Sequence, residues 1–131
     1  MNERKVTIQR LVRDTKISQT LKSSYNQCQL CRIRLRKPSG EYITEAHHIR
    51  PYNKQHLGDD NIRNLIVLCP NCHVLFDNLF FAIDPNTYKV HNIEDSETRD
   101  LFFVSGHQLG QEYLLYTWNL FNTLRKNNED S

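Results

Sequence analysis

Four cysteines, grouped as Cys28-x-x-Cys31 and Cys69-x-x-Cys72, constrain this 131-residue chain more than any other feature. Each Cys-x-x-Cys turn presents two sulfurs from one side, so two such turns complete a closed tetrahedral Zn²⁺ site, and no cysteine of the chain is left over. Thirty-seven residues separate the pairs. Joining them closes a long loop and brings the segment after Cys31 against the segment after Cys69. A hydrophobic fraction of 38% gives a modest core that gains from such a staple. Cysteines at this spacing suit a reducing compartment, where they hold metal rather than pair as disulfides. The polar start Met1-Asn2-Glu3-Arg4-Lys5 has no apolar stretch to make a signal peptide, and no run approaches the ~20 residues of a membrane span. One soluble, cytoplasmic domain over residues 1–131 with no membrane partner is the expectation.

The formal charge of +2 conceals an asymmetry. Residues 1–37 carry ten Lys or Arg against Glu3 and Asp14, whereas residues 38–131 carry seven against thirteen acids. Arg10, Arg13, Lys16 and Lys22 lie just before the first knuckle and are candidate contacts to nucleic-acid phosphates.

Periodicity divides the chain into a basic N-terminal extension (1–27), a core (28–92) and a C-terminal helix (108–126). Asp14 can cap a first helix whose apolar positions Ile17, Leu21 and Tyr25 recur every four residues. Arg32–Arg36 and Tyr42–Ile49 read as antiparallel strands joined by the turn Lys37-Pro38-Ser39-Gly40, with Pro51 ending the second. The polar stretch from Tyr52 to Asn61 reads as an ordered loop, and Ile62–Leu68 as a short buried segment. Cys69-Pro70-Asn71-Cys72 leads into a helix bearing His73, Phe76 and Asp77. A hairpin around Asp84-Pro85-Asn86 follows, then a linker from Glu94 to Arg99 and a strand from Leu101 to Val104. The last helix places Leu114, Trp118, Phe121 and Arg125 on one side.

Between the knuckles lies a second set of reactive side chains: Glu45-Ala46-His47-His48-Ile49-Arg50, then Asn64, then His73 directly after Cys72. Phosphodiester hydrolysis needs an activated water and positive charge at the phosphate and the leaving 3′ oxygen. Adjacent strand residues point to opposite sides, so His47 and His48 should take different roles. One should ligate a divalent ion, and the other, with an ordinary pKa of about 6.5, can take a proton from water. His73 offers a ligand from across the site, and Asp77, four residues on, shares its helix face. Arg50 can brace a phosphate bidentately and His56 can touch one from the loop. His91 and His107 read as packing residues.

The paired histidine, Asn64 and His73, flanked by the two Cys pairs over residues 28–77, resemble the zinc-bearing HNH endonucleases of the ββα-metal fold. The wider run from Arg10-Leu11-Val12-Arg13-Asp14-Thr15 to His73-Val74-Leu75-Phe76-Asp77 is similar to the HNH module of bacterial modification-dependent restriction enzymes. That resemblance implies an α+β fold with a ββα-metal core, a four-cysteine zinc staple, an N-terminal helix and a long C-terminal helix. It implies His47 and His73 as metal ligands, His48 as general base and Asn64 as the residue that holds the inter-strand loop. The expected activity is DNA hydrolysis with structural Zn²⁺ and catalytic Mg²⁺ or Mn²⁺, with Co²⁺ or Ni²⁺ as substitutes. A double-strand break would call for two sites, as in a homodimer; the other partner this resemblance implies is a fused DNA-reading domain, absent from this sequence. Competing readings are a zinc-stapled DNA-binding module without catalysis and a nicking or homing-type HNH nuclease.

Overall fold

The computed structural model describes residues 15–130, with only the backbone described for 128–130. Arg10, Arg13 and Asp14 lie outside the described residues. The first helix, α1 (Lys16–Lys22), is capped by Thr15, whose side chain accepts from Ser18 N while Ser18 Oγ accepts from Thr15 N. This reciprocal box satisfies amides that the first helical turn leaves open. Of the expected stripe, Leu21 and Tyr25 are buried, but Ile17 faces solvent. The helix ends at Lys22, so helical spacing no longer governs Tyr25.

Strand β1 (Glu45–His48) pairs antiparallel with β2 (Leu65–Leu68), His47 opposite Ile66 and His48 opposite Leu65. The expected Arg32–Arg36 strand is instead a short loop limb joined to the other limb by one isolated bridge, Arg36 to Tyr42. β1 spends its ladder on β2, whose four residues are all buried because both faces of the hairpin are covered. On one face Ala46, Leu65 and Val67 meet Leu21 and Tyr25. On the other, Ile66 and Leu68 join Phe76, Phe81, Ile83, Val90 and Leu114.

Helix α2 (Pro70–Asp77) starts where the sequence predicts, with Cys69 as N-cap and Pro70 in the first turn, where its missing N–H costs nothing. β3 (Phe81–Ile83), β4 (Lys89–Asn92) and β5 (Thr98–Asp100) form a second antiparallel sheet. The expected linker therefore contains β5, an exposed edge strand whose polar residues hide its pairing from a hydrophobic pattern. Leu101–Val104 forms no ladder strand. Its residues alternate between the clusters, Leu101 and Phe103 in one, Phe102 and Val104 in the other. Buried Gln29 stitches it down, its side-chain amide donating to Phe102 O and accepting from Val67 N. The last helix, α3 (Gln111–Asp130), packs against β3 with Leu114 and Phe121 fully buried. No helix of the described residues is long and apolar enough to cross a membrane.

His107 is a packing residue, as expected. The Tyr25 hydroxyl, 2.5 Å away, meets its Nδ1, and its Nε2 donates to Leu65 O at 2.9 Å. Burial lowers its pKa from 6.5, only partly offset by the carbonyls of Leu65 and Ile62. A histidine that is harder to protonate folded than unfolded contributes stability above the unfolded pKa, and loses it as pH falls through the folded value. The melting temperature is therefore expected to fall as pH drops below about 6.5, with His107→Gln flattening the slope. A melting temperature equally pH-dependent in that variant would remove His107 as the cause.

Candidate metal centre and nuclease site

Two clusters of metal-ligating side chains flank α2. At its start, Cys28, Cys31, Cys69 and Cys72 bring their sulfurs within 4.8 Å of one another. Cys31 and Cys69 Sγ lie 3.7 Å apart, and a tetrahedral ion with ~2.3 Å bonds to sulfur sets its ligands ~3.8 Å apart. Backbone N–H groups of Leu30 and Cys72 donate to Cys28 and Cys69 Sγ, stabilising negative sulfur. The hydrogen bond from Cys72 holds the pKa of the Cys28 thiol well below its ordinary value, whereas burial pushes that of Cys31 up. The residues fit a four-thiolate ion.

The second cluster joins β1 to α2. His47, His73 and Asp77 offer one ligand atom each, all within 4.8 Å. His47 Nδ1 is 3.1 Å from Asp77 Oδ1, and His73 Nε2 is 3.6 Å from Asp77 Oδ2. An ion bonded at ~2.1 Å sets neighbouring ligand atoms ~3.0 to ~3.4 Å apart, so this set also fits a divalent ion. Burial lowers the pKa of His47 against the pull of Asp77, keeping the imidazole neutral with a lone pair to give. His73 is fixed by Glu45, whose Oε1 lies 2.7 Å from Nδ1. A carboxylate only accepts, so Nδ1 carries the hydrogen and Nε2 faces the cluster with its lone pair.

His48 turns the other way, as strand alternation requires. Its Nε2 lies 2.9 Å from Asp60 Oδ1, and Tyr52 packs beside the ring with centroids 5.2 Å apart. The same logic places the hydrogen on Nε2 and leaves Nδ1 as acceptor. Thr15, the cap of α1, donates to the same Asp60 oxygen at 3.1 Å. His48 remains close enough to His47 to disfavour its protonation.

Asn64 is fully buried, and all its side-chain bonds go to the loop between β1 and β2. Oδ1 accepts from Arg50 N, and Nδ2 donates to Arg50 O and Asp59 O. The loop is pinned further by α3: Tyr113 Oη donates to Asp59 Oδ2 at 2.9 Å, and His56 Nδ1 meets Tyr116 Oη at 2.7 Å. Arg50 lies over the Tyr116 ring at 4.1 Å and donates from Nε to His56 O. Arg50 and His56 are thus engaged with each other and with Tyr116 of α3. Lys16 is exposed and Lys22 half-buried, both on α1.

Gly58 lets this loop close on itself. A Cβ there would fall 1.9 Å from Arg50 O and 2.7 Å from Pro51 O, against backbone that cannot swing away. Gly58→Ala is expected to destabilise the protein by about 1–3 kcal/mol, the usual cost of overpacking. An unchanged denaturation midpoint in urea would show that the loop yields freely.

Sequence reasoning did not single out Asp60 or Glu45. Glu45 was recoverable, because two residues before His47 on one strand is the same face. Asp60 was not, since only the folded loop returns it to β1.

A β-hairpin leading into a helix, with a donor cluster at their junction and a four-cysteine staple at the helix start, defines a ββα-metal core. Residues 28–84 match the HNH endonuclease family. A solved structure described as a modification-dependent TagI restriction endonuclease superposes with a TM-score of 0.75 at 29% identity. The match covers 82% of this chain and 38% of that one, so the chain spans well under half of the relative's length. No curated protein matches. Residues 28–84 are thus similar to the HNH endonuclease family, and the fold around them is similar to that of the restriction endonuclease.

Proposed function

We propose that this chain is a metal-dependent DNA endonuclease of the restriction type, in which His48 activates water. The reading is carried by one juxtaposition: the His47–His73–Asp77 donor cluster beside a carboxylate-held His48 on the next residue of β1. Cys28, Cys31, Cys69 and Cys72 would hold a structural zinc, and His47, His73 and Asp77 a divalent ion. When bound, that ion supplies positive charge for the scissile phosphate and the departing 3′ oxygen. His48 Nδ1 takes a proton from the attacking water, whose oxygen bonds to phosphorus as the bond to the 3′ oxygen breaks. The 3′ oxygen takes a proton from solvent, leaving a 3′ hydroxyl and a 5′ phosphate. Asp60 holds the His48 ring in register, Asn64 fixes the loop behind it, and Arg50 and His56 line the loop that faces the phosphate.

Two histidines make the donor set softer than the all-oxygen shell Mg²⁺ prefers, so Mn²⁺, Co²⁺ and Ni²⁺ are expected to support cleavage as well as Mg²⁺. A plasmid assay across this ion series checks it. Activity confined to Mg²⁺ contradicts the ligand set. The restriction relative makes modified DNA the substrate to test first, with methylated and unmethylated plasmid run side by side. Equal cutting of both would leave dependence on modification outside residues 1–131.

A further inference from the structure

We propose that the limb after the first Cys pair, bearing Arg32, Arg34 and Arg36, is a preformed clamp for the phosphodiester backbone of duplex DNA beside the cleavage site. The inference rests on the nuclease reading above and names a binding surface for it.

From Thr15 to Gly40 the chain holds six Lys or Arg and no acid, and Arg32, Arg34, Arg36 and Lys37 fall within six consecutive positions. All of these last four are exposed. Exposed cations on a folded surface are commonly solvated or paired with carboxylates, as Arg63 is with Glu112 and Lys89 with Asp100. These three arginines are held differently. Arg34 donates through Nε and Nη2 to the neutral Gln27 Oε1, at 3.3 and 3.1 Å. Arg36 donates from Nε to Gly40 O at 3.4 Å and lies over the Tyr42 ring at 5.5 Å. Arg32 lies over the Phe102 ring at 4.9 Å. Each guanidinium is positioned by neutral groups, so its orienting entropy is spent in advance, and no carboxylate among the described residues cancels its charge. Among the described residues, Lys37 alone of the four meets a carboxylate, Glu41, at 3.9 Å.

The backbone adds an independent observation. Arg32 sits at φ 67, a left-handed conformation that a side chain enters at a cost. Such an outlier points toward function when the surrounding structure holds it in place. Here Arg32 N donates to Cys28 O and Ile33 O accepts from Cys28 N, which locks the turn to the first knuckle. Leu35 packs into the core between Arg34 and Arg36, and so turns those two neighbours outward. The limb is tied to the site at both ends. Cys31 is held to Cys69 at the start of α2, and the returning limb runs through Tyr42 into β1, which carries Glu45, His47 and His48.

The test compares the full-length, zinc-loaded chain with an Arg32→Gln/Arg34→Gln/Arg36→Gln variant and with a Lys89→Gln/Lys126→Gln control. Binding to a short duplex is followed by fluorescence anisotropy across a NaCl series with Ca²⁺ as the divalent ion. Each lost phosphate contact should lower the slope of log K against log salt by about 0.9. The triple variant is therefore expected to lose between about two and three units of slope and at least tenfold in affinity at moderate salt. The control should keep the wild-type slope. An unchanged slope in a folded triple variant overturns the clamp and leaves the nuclease reading intact. A wild-type chain that neither binds nor cuts duplex DNA overturns both.

Discussion

His48→Ala is expected to lower kcat for DNA cleavage by about a hundred- to ten-thousand-fold, the range a positioned general base contributes. Zinc content, melting temperature and DNA affinity should stay close to wild type. The selectivity of that loss follows from where the ring sits. His48 lies on the opposite strand face from the donor cluster, at the edge of the loop, and among the described residues its side chain is hydrogen-bonded to Asp60. Truncating it removes a proton acceptor without opening the core. Asp60→Ala should give a smaller fall in kcat with KM little changed, because the base remains but its tautomer and orientation are no longer fixed. Single-turnover rates on saturating plasmid measure both variants. A His48→Ala protein that cuts at the wild-type rate would assign the base elsewhere.

On the proposed reading, in which the cysteine cluster holds zinc, removing that ion should have the largest effect on the fold. Structural zinc sites contribute roughly 10–16 kcal/mol in small peptides, against the roughly 5–15 kcal/mol that holds a whole domain together. The cluster pins residues 28–31 to the N-terminal turn of α2, and Cys69 caps that helix with its own sulfur. Without the ion, four closely packed thiols lose their common partner. The start of α2 is then free to part from β1, and His73 from His47. Cys72→Ser, or treatment with a strong chelator, is expected to abolish the cooperative thermal transition, and cleavage with it. Elemental analysis should find one zinc per chain that Cys72→Ser lacks. A chelated protein that melts where the untreated one does would show that the core stands without the staple.

Legibility in the sequence followed the range of the interactions involved. The staple, the start of α2 and the His73–Asp77 pair depend on spacings of three or four residues, and these could be read directly. The separation of His47 from His48 follows from the two-residue period of any strand. The partner of β1 did not follow, because Arg32–Arg36 offered a nearby alternating segment and a Pro-Gly turn, whereas Leu65–Leu68 lies across the loop. Leu101–Val104 has the apolar content of a strand, but the two clusters on either side of it use that content without a ladder. The polar edge strand Thr98–Asp100 was hidden for the converse reason. Tyr113 and Tyr116, which anchor the loop between β1 and β2 from α3, lie more than fifty residues away from the groups they hold. No local pattern marks them.

Hydrolysis by His48 with an ion at His47, His73 and Asp77 is tested most directly by end analysis of plasmid cut by the zinc-loaded chain. With Mn²⁺ present, 3′ hydroxyl and 5′ phosphate ends should appear, and they should be absent with EDTA, with His73→Ala and with His48→Ala. Cleavage that persists in EDTA, or ends carrying a 3′ phosphate, would contradict it.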